Sequence, residues 1–321
     1  MSGRAPAAAA ALALLCAPAA SAGRPEPVAA GRCPTAPVVL QVLGSGGPIA
    51  EDDRAGTSYL LRVDGEPRLL IDAGPGSFVR FAQAGGSVSA LSGVVITHLH
   101  ADHSVDLAGV LNSGSFEDRA APLPVVGPDG ADRFPSTSSF LRSLLGRGGA
   151  WGYLAGYLDG TEGKPRLDVA EVRTERGEGA PRAFDLAGGI RVTAIPVHHG
   201  DVPAFGVRVD VSGRTLVVTG DQSFLSTGFA DALRGSSPDL LVAHHVIPEG
   251  EGQPRGLHRP PSSIGELAAS TGARRLVLSH NMRRSLDRLD EGLAAIRARY
   301  RGPVEVARDL DCLVVGARDG G

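Results

Sequence analysis

Four side chains that could bind a metal ion are concentrated in the stretch THLHADH, residues 97–103, directly after an apolar run. They are His98, His100, Asp102 and His103. In an extended segment, side chains two positions apart point to the same side, so His98 and His100 can share one ion. Asp102 and His103 follow in the turn before a predicted helix and can face a second ion. Imidazole and carboxylate groups favour zinc or iron over calcium, which prefers oxygen ligands alone.

Further metal-capable side chains follow other apolar runs along the chain. These runs are AIPVHH (194–199), LVVTGD (216–221), LLVAHH (240–245) and LVLSH (276–280). The carboxyl ends of strands in an α/β sheet form the edge at which binding sites are commonly built. Adding His199 and His280, with Asp221 bridging, gives seven candidate ligands, enough for two ions that each keep an open position. The alternative is that these residues are helix caps or polar core residues, which would suit a lone HxH pair better than this repeated pattern.

The strands and helices that must hold these ligands are predicted from hydrophobic periodicity. Strand-like runs cover 38–44, 58–63, 68–74, 92–98, 122–127, 189–197, 205–211, 214–221, 239–245, 275–280 and 311–315. Helical patterns lie near 76–84, 104–112, 135–146, 226–234, 261–272 and 285–300. Hairpin-like and strand–helix connections alternate without a dividing linker, so we expect one layered α/β domain over residues 38–318.

The N-terminal residues have the composition of a targeting segment. A positive Arg4, an apolar stretch at 7–16 and the small residues ASA at 20–22 are typical of a signal peptide. We therefore expect residues 1–22 to be a signal peptide, residues 23–37 to be a disordered leader, and the mature protein to be periplasmic or secreted. Lipoprotein anchoring at Cys16 is the less favoured alternative.

Two cysteines, Cys33 and Cys312, remain after removal of a signal peptide. In an oxidising compartment they are expected to form a disulfide between the N-terminal segment and the last strand. The alternative is two unrelated thiols.

The net charge of −3 predicts no broad electropositive surface of the kind that binds RNA or DNA. We therefore expect a small-molecule substrate, and nucleic acid is not the expected partner. No apolar run after the signal peptide is long enough to span a membrane. The oligomeric state stays open, with a homodimer as one possibility.

The chain resembles the metallo-β-lactamase fold superfamily from about Val38 to Val315. The segments LGSGGP (43–48), LLIDAGPG (69–76), THLHADH (97–103), HHGDVPAFG (198–206), VVTGD (217–221) and LVLSH (276–280) occur in the order that this family uses. The chain looks most similar to the branch that contains ribonuclease Z, cyclic phosphodiesterases and arylsulfatase-like hydrolases. The resemblance implies a four-layer αββα sandwich with a dinuclear metal site at one edge.

The resemblance also implies an assignment of the ligands. One metal would take His98, His100 and His199, and the other would take Asp102, His103 and His280, with Asp221 shared. In this family a Gly tends to follow the ligand, which favours His199 over its neighbour His198. His100, where diiron flavoproteins carry Glu, favours zinc hydrolysis over redox chemistry. The implied cofactors are two zinc ions, with manganese or iron as alternatives.

The implied activity is that of a metal-dependent hydrolase that cleaves a phosphodiester or related ester by a metal-bridged hydroxide. Asp102 would orient the water, and His258 would protonate the leaving oxygen or, alternatively, be a surface loop residue. Arg259-Pro260 follows where the ribonuclease Z branch has Ser-Thr, and His244 stands where that branch has Glu. A lactone, a sulfate ester and a β-lactam are alternative substrates, and a mononuclear-iron glyoxalase or dioxygenase is an alternative chemistry.

Other segments bear on the substrate and on ligand support. The 22 positions from His199 to Asp221 leave no room for the long arm with which ribonuclease Z proteins hold tRNA. The segment 144–158 contains the only Trp and two of the four Tyr. It could be a mobile lid that presents Trp151 and Tyr153, or a helix that packs its aromatic side chains into the core. Asp72 and Thr97 could support the ligands, or either could be merely a turn or capping residue, which is the favoured interpretation of Thr97.

Overall fold

The structure is a computed structural model that describes Met1 and residues 33–316. Residues 2–32 and 317–321 lie outside the described part. The predictions of a signal peptide, of Cys16 as a lipid anchor and of most of the leader concern that outside region and stay predictions.

Fourteen strands and nine α-helices make up the described part. The strands are β1 Val38–Gly44, β2 Ser58–Val63, β3 Glu66–Ile71, β4 Gly93–Val95, β5 Leu123–Pro128, β6 Leu167–Val172, β7 Arg182–Leu186, β8 Ile190–His199, β9 Val202–Val211, β10 Arg214–Val218, β11 Leu240–His244, β12 Leu276–Ser279, β13 Val304–Val306 and β14 Cys312–Val314. The helices are α1 Ser77–Gln83, α2 Ala101–Ser104, α3 Leu107–Gly114, α4 Thr137–Leu145, α5 Gly156–Asp159, α6 Thr227–Leu233, α7 Pro261–Thr271, α8 Arg283–Leu286 and α9 Leu289–Arg297.

The strands form two seven-stranded mixed sheets within the described residues. Their strand orders are β14-β1-β2-β3-β4-β5-β6 and β13-β12-β11-β10-β9-β8-β7. One apolar cluster, which includes Leu40 and Val207, fills the space between the sheets. A second packs α1, α3 and α4 against the first sheet, and a third packs α6, α7 and α9 against the second. The predicted αββα sandwich is therefore confirmed.

The sequence predicted eleven of these strands and missed β6, β7 and β13. All three lie at the edge of a sheet, and most of their residues are half-buried or exposed. A strand with one sheet neighbour buries less apolar surface, so its hydrophobic pattern is weak. The helix predicted near 104–112 is divided into α2 and α3, and the one near 285–300 into α8 and α9.

The direction of the strands places their carboxyl ends at one edge of the sandwich. Strands β3 to β6 pair in parallel in the first sheet, and β10 to β13 do so in the second. Strand β8 runs in the same direction as β10 because both pair antiparallel with β9. The residues that follow β3, β4, β8, β10 and β12 can therefore meet.

A disulfide joins Cys33 to Cys312, whose Cα atoms lie 5.4 Å apart. The predicted pairing is confirmed, and it ties the start of the described chain to β14 at the edge of the first sheet. Within residues 33–316, none of the helices is both long enough and apolar enough to cross a membrane.

Candidate functional site

Histidine and aspartate side chains from several strand ends meet at the carboxyl edge of the two sheets. Four of them come from the loop after β4 and from α2, one ends β8, and the other two follow β10 and β12. All seven ligands predicted from the sequence lie in this cluster: His98, His100, Asp102, His103, His199, Asp221 and His280. The long-range packing of two sheets has thus brought together residues that are up to 182 positions apart.

One group in the cluster consists of His98, His100 and His199, whose candidate ligand atoms lie within 4.8 Å of one another. The Nε2 atom of His98 is 3.1 Å from Nδ1 of His100, as expected for two rings on the same side of an extended segment. His199 contributes from the end of β8. Its neighbour His198 points away from the cluster and makes a 2.8 Å contact between Nδ1 and the Ser223 hydroxyl. The structure therefore selects His199 from the pair that the sequence left open.

The second group contains two histidines that face two carboxylates. The Nε2 atom of His280 lies 3.2 Å from Asp102 Oδ2 and 3.3 Å from Asp221 Oδ1. The Nε2 atom of His103 lies 3.6 Å from the same Asp102 oxygen. Asp221 stands between the groups, because its other oxygen, Oδ2, is 3.7 Å from Nε2 of His199. One carboxylate thus faces both sets of imidazoles.

Hydrogen bonds made by Nδ1, on the side away from the cluster, fix two of the imidazole rings. His103 donates from Nδ1 to Asp72 Oδ2 at 2.8 Å, and His199 donates from Nδ1 to the Leu257 carbonyl at 3.0 Å. Each ring is thereby left with Nε2 directed at the cluster. Such partners orient metal-binding histidines and set their tautomer.

The interpretation of Thr97 as a turn residue is wrong. Its backbone N–H and its hydroxyl donate to the two oxygens of Asp72 at 2.7 and 2.8 Å, and the hydroxyl also lies 3.3 Å from His98 Nδ1. Thr97 therefore holds the carboxylate that orients His103. Asp72 was predictable from its place after β3, but its pairing with Thr97 depends on the parallel contact between β3 and β4.

Buried nitrogen atoms without partners show that a cation fits the cluster. The Nε2 atoms of His103, His199 and His280 are buried and have no hydrogen-bond partner among the described residues. Buried polar atoms are rarely left without a partner. A divalent cation coordinated by these nitrogens and by the neighbouring carboxylates would satisfy them, and mixed imidazole and carboxylate sets suit zinc.

The carboxylates of the cluster stabilise protons on two histidines. Burial acts to lower the pKa of His103, but the charges of Asp72 and Asp102 outweigh it and raise the pKa. The same balance, with Asp221 the largest opposing charge, raises the pKa of His280 to about 10. Burial acts to raise the pKa of Asp102, yet the neighbouring histidines lower it to about 2. Because ligands must be deprotonated, a bound cation would take the place of these protons.

His244 supports Asp221 from the end of β11. It donates from Nδ1 to Asp221 Oδ1 at 2.7 Å, and its Nε2 lies 3.3 Å from the Tyr59 hydroxyl. Burial lowers the pKa of His244 to about 4, so the ring is neutral at neutral pH. The next residue, His245, faces away and places Nδ1 3.2 Å from Asn281 Oδ1. The sequence left open whether this pair caps a strand or supports the ligands, because neither partner is close in sequence.

His258 lies beside the cluster and is not an exposed loop residue. Its Nδ1 atom is 3.9 Å from Asp221 Oδ2, and its side chain is only 12% exposed. Its ring centroid lies 5.3 Å from that of His199. Burial lowers the pKa of His258 to about 3, with a further lowering from the charge of His280.

The aromatic segment 144–158 packs partly into the core. Tyr157 is buried and donates its hydroxyl to the Leu111 carbonyl at 2.6 Å. Trp151 and Tyr153 are exposed by 38% and 62%. Of the two interpretations, core packing holds for Tyr157, and no ring contact within residues 33–316 joins Trp151 or Tyr153 to the histidine cluster.

Comparisons with known proteins agree with this architecture. The family model for the metallo-beta-lactamase superfamily matches residues 52–280. Ribonuclease Z from Mycobacterium avium is 30% identical over 295 residues, which cover 87% of this chain and 99% of that protein. Ribonuclease Z from Mycobacterium marinum is 29% identical over 295 residues, covering 88% of this chain and 100% of that protein.

Solved structures show the same fold at lower identity. The metallo-beta-lactamase fold protein YhfI from Bacillus subtilis superposes with a TM-score of 0.65 at 18% identity, over 86% of this chain and 99% of that one. Human tRNase Z, short form, gives a TM-score of 0.62 at 22% identity, over 87% of this chain and 100% of that one.

The expectation that nucleic acid is not a partner is wrong. It is overturned by relatives named ribonuclease Z that match this chain along nearly their whole length. The segment from His199 to Asp221 does consist of β9, β10 and short turns, without a long arm. The prediction failed because net charge sums over the whole surface, whereas RNA binding depends on local groups around the site. The absence of a long arm between His199 and Asp221 does not remove such local groups elsewhere around the site.

Proposed function

The chain belongs to the metallo-β-lactamase superfamily, in the branch that includes ribonuclease Z, and we propose that it is a dinuclear zinc hydrolase that cleaves phosphodiester bonds. Membership of this group makes it a metal-dependent hydrolase, and the relatives support phosphodiester hydrolysis. The observation that carries the proposal is the position of Asp221, one oxygen of which faces His280 while the other faces His199. RNA is one candidate source of the phosphodiester.

We assign the ligands in two sets that share Asp221. The first set is His98, His100 and His199, and the second is Asp102, His103 and His280. Bound zinc ions would lower the pKa of a water molecule from about 15.7 to about 7 and polarise a phosphoryl oxygen.

The side chains around the ions position the reactants. Asp102 is ionised, with a pKa of about 2, and can accept a hydrogen bond from the attacking water. His258, beside Asp221, is the group placed to protonate the leaving oxygen. Its lowered pKa keeps it neutral in the free site. A bound phosphodiester anion would raise that pKa again, because an opposite charge favours the protonated form.

A substrate and metal assay tests this proposal. The zinc-loaded protein is expected to hydrolyse bis-p-nitrophenyl phosphate and a short RNA faster than an aryl sulfate, a lactone or a cephalosporin, and to contain two zinc ions per chain. His100→Ala is expected to lose zinc and turnover together. His198→Ala is the matched control, since its ring lies outside the cluster. Full activity in metal-free His100→Ala, or a single iron with oxygen-dependent turnover, would contradict the proposal.

We also propose that the protein is exported, on the basis of the signal-peptide pattern at 1–22 and of the disulfide between Cys33 and Cys312. Structural disulfides persist in oxidising compartments and are rare in the cytosol. Mass spectrometry of the periplasmic and secreted fractions is expected to find a mature chain that begins at Gly23. A full-length chain found only in the cytosol would refute export.

A further inference from the structure

A buried arginine, Arg259, joins the segments that surround the histidine cluster. Its side chain is 7% exposed, and the guanidinium makes three hydrogen bonds. It donates from Nε to Gln222 Oε1 at 3.1 Å, from NH1 to the Ser263 hydroxyl at 2.9 Å and from NH2 to the Ser226 carbonyl at 3.3 Å. All three acceptors are neutral.

No carboxylate forms an ion pair with Arg259 among the residues that the structure describes. The charge of Glu266 acts to raise the pKa of Arg259, but Glu266 is exposed and forms its ion pair with Arg299, at 3.5 Å. Taking a charge out of water without an opposite charge costs stability, even when the guanidinium is hydrogen-bonded. Stability alone therefore does not account for an arginine here.

Two of the three partners of Arg259, Gln222 and Ser226, belong to the loop that carries Asp221. Gln222 follows Asp221 directly, and its side-chain amide donates to the Thr219 carbonyl at 2.8 Å. Ser226 accepts on its hydroxyl from the backbone N–H of His198 at 2.9 Å. Arg259 is thus linked through one loop to the ends of both β8 and β10.

Arg259 also follows the two residues that the cluster uses from its own segment. The Leu257 carbonyl accepts from His199 Nδ1, and the His258 ring lies beside Asp221. The segment before α7 has few other anchors close to these residues. Leu257 is 39% exposed, and the backbone N–H groups of Leu257 and His258 donate to the Pro254 carbonyl inside the same segment.

We propose that Arg259 is a positioning residue that fixes the segment 254–258 against the loop 221–226, and so sets the place of His258 and of the Leu257 carbonyl relative to the cluster. The proposal concerns this chain's own contacts, and only its kinetic test rests on the proposed phosphodiester hydrolysis.

Hydrogen exchange tests the structural part without any turnover. In metal-free Arg259→Met, amides in 255–259 and 221–226 are expected to exchange about a hundredfold faster than in the wild type, because three hydrogen bonds are lost. Arg297→Met, at an exposed position on α9, is the matched control and should leave both segments unchanged. Unchanged exchange in Arg259→Met would overturn the proposal, whether or not the enzyme is active.

Leaving-group dependence tests the consequence for catalysis. The substrates are the p-nitrophenyl and the unsubstituted phenyl ester of the same nucleotide, since the poorer leaving group depends more on protonation. With zinc bound, Arg259→Met is expected to lower kcat for the phenyl ester about tenfold more than for the p-nitrophenyl ester. Arg259→Lys keeps the charge and part of the hydrogen bonding. The difference between its losses of kcat for the two esters should therefore be smaller than in Arg259→Met.

If Arg259 only stabilised the fold and did not place His258, Arg259→Met would lower kcat for both esters equally. That result would overturn the proposal while leaving the proposed function intact. If Arg259→Met does not fold, Ser263→Ala removes a single bond and is expected to shift the ratio in the same direction by about fivefold. A wild-type enzyme that cleaves neither ester would count against the proposed function, and the exchange measurement then decides on Arg259 alone.

Discussion

The tight contact between Gly47 and His280 allows one prediction to be worked out in detail. A Cβ atom at position 47 would lie 2.5 Å from Cε1 and 2.7 Å from Nδ1 of the His280 ring. Ordinary contacts begin at 3.4 Å, so the ring and the new methyl group are about 0.9 Å too close. Gly47→Ala must therefore move either the ring or the loop.

The loop is held more firmly than the ring. Ser45 donates from its N–H and its hydroxyl to Asp309 Oδ1 at 3.0 and 2.9 Å, and its carbonyl accepts from the Asn281 N–H at 2.8 Å. Gly46 donates to the Ala55 carbonyl at 2.9 Å. The ring of His280, in contrast, has no hydrogen bond to Nδ1 within residues 33–316, and only its Nε2 is in contact with the Asp102 and Asp221 carboxylates, at 3.2 and 3.3 Å. We therefore expect the ring to move by up to about 0.9 Å away from position 47, which changes its place relative to Asp102 and Asp221.

A ligand misplaced by about 1 Å costs on the order of a hundredfold in rate. We expect Gly47→Ala to lose about that factor in turnover and to bind the second zinc ion more weakly. Zinc affinity is measured by competition with a chromophoric chelator, and turnover with bis-p-nitrophenyl phosphate. Gly148→Ala is the control, because a Cβ there meets nothing within 4 Å. A folded Gly47→Ala protein with wild-type zinc affinity and turnover would refute this reasoning.

Three further predictions concern other contacts. His244→Leu removes the hydrogen bond to Asp221 and should weaken zinc binding by about 10- to 100-fold. His244→Asn keeps a donor near the position of Nδ1 and should lose less zinc affinity. Equal losses of affinity in chelator competition would contradict the role of His244. Replacing Cys33 and Cys312 by Ser should lower the free energy of unfolding by about 2–5 kcal/mol in urea titration, and an unchanged midpoint would show that the disulfide contributes nothing. Burial lowers the pKa of His245 from 6.5 in the unfolded chain to about 4 in the folded protein, so the unfolded chain binds a proton on this ring at a higher pH. The stability that the neutral, buried ring contributes is therefore intact above pH 6.5, and up to about 3 kcal/mol of the free energy of unfolding is lost as the pH falls towards 4. His245→Gln should flatten that part of the stability profile relative to the wild type, and parallel profiles would exclude His245 as the cause.

Residues close in sequence account for what could be predicted about the site. His98 and His100 are two positions apart on an extended segment, and their shared direction follows from backbone geometry alone. His199, Asp221 and His280 each follow an apolar run, and a run that ends in a polar residue predicts a strand that reaches the edge of a sheet. The alternation of these runs with helical patterns predicted a layered α/β domain, whereas the αββα class was implied by the resemblance of the motifs to the metallo-β-lactamase superfamily.

The sequence could not predict which residues hold the ligands in place. Thr97 was taken for a turn residue because its partner, the Asp72 carboxylate, is 25 positions away. Nothing local marks Tyr59 as a neighbour of His244, since they are 185 positions apart and lie in different sheets. The backbone carbonyl of Leu257, which orients His199, has no side-chain signature at all.

The sequence by itself determined the ligand types, their place at strand ends and a layered α/β architecture. These depend on hydrophobic periodicity and on backbone geometry over a few residues, whereas the αββα class was implied by the family resemblance of the motifs. Only the tertiary structure decided that His199 faces the cluster and His198 does not, and that Arg259 is buried without an opposite charge. Those outcomes depend on how two sheets and their loops pack, which sets the distances between atoms that the chain keeps far apart in sequence.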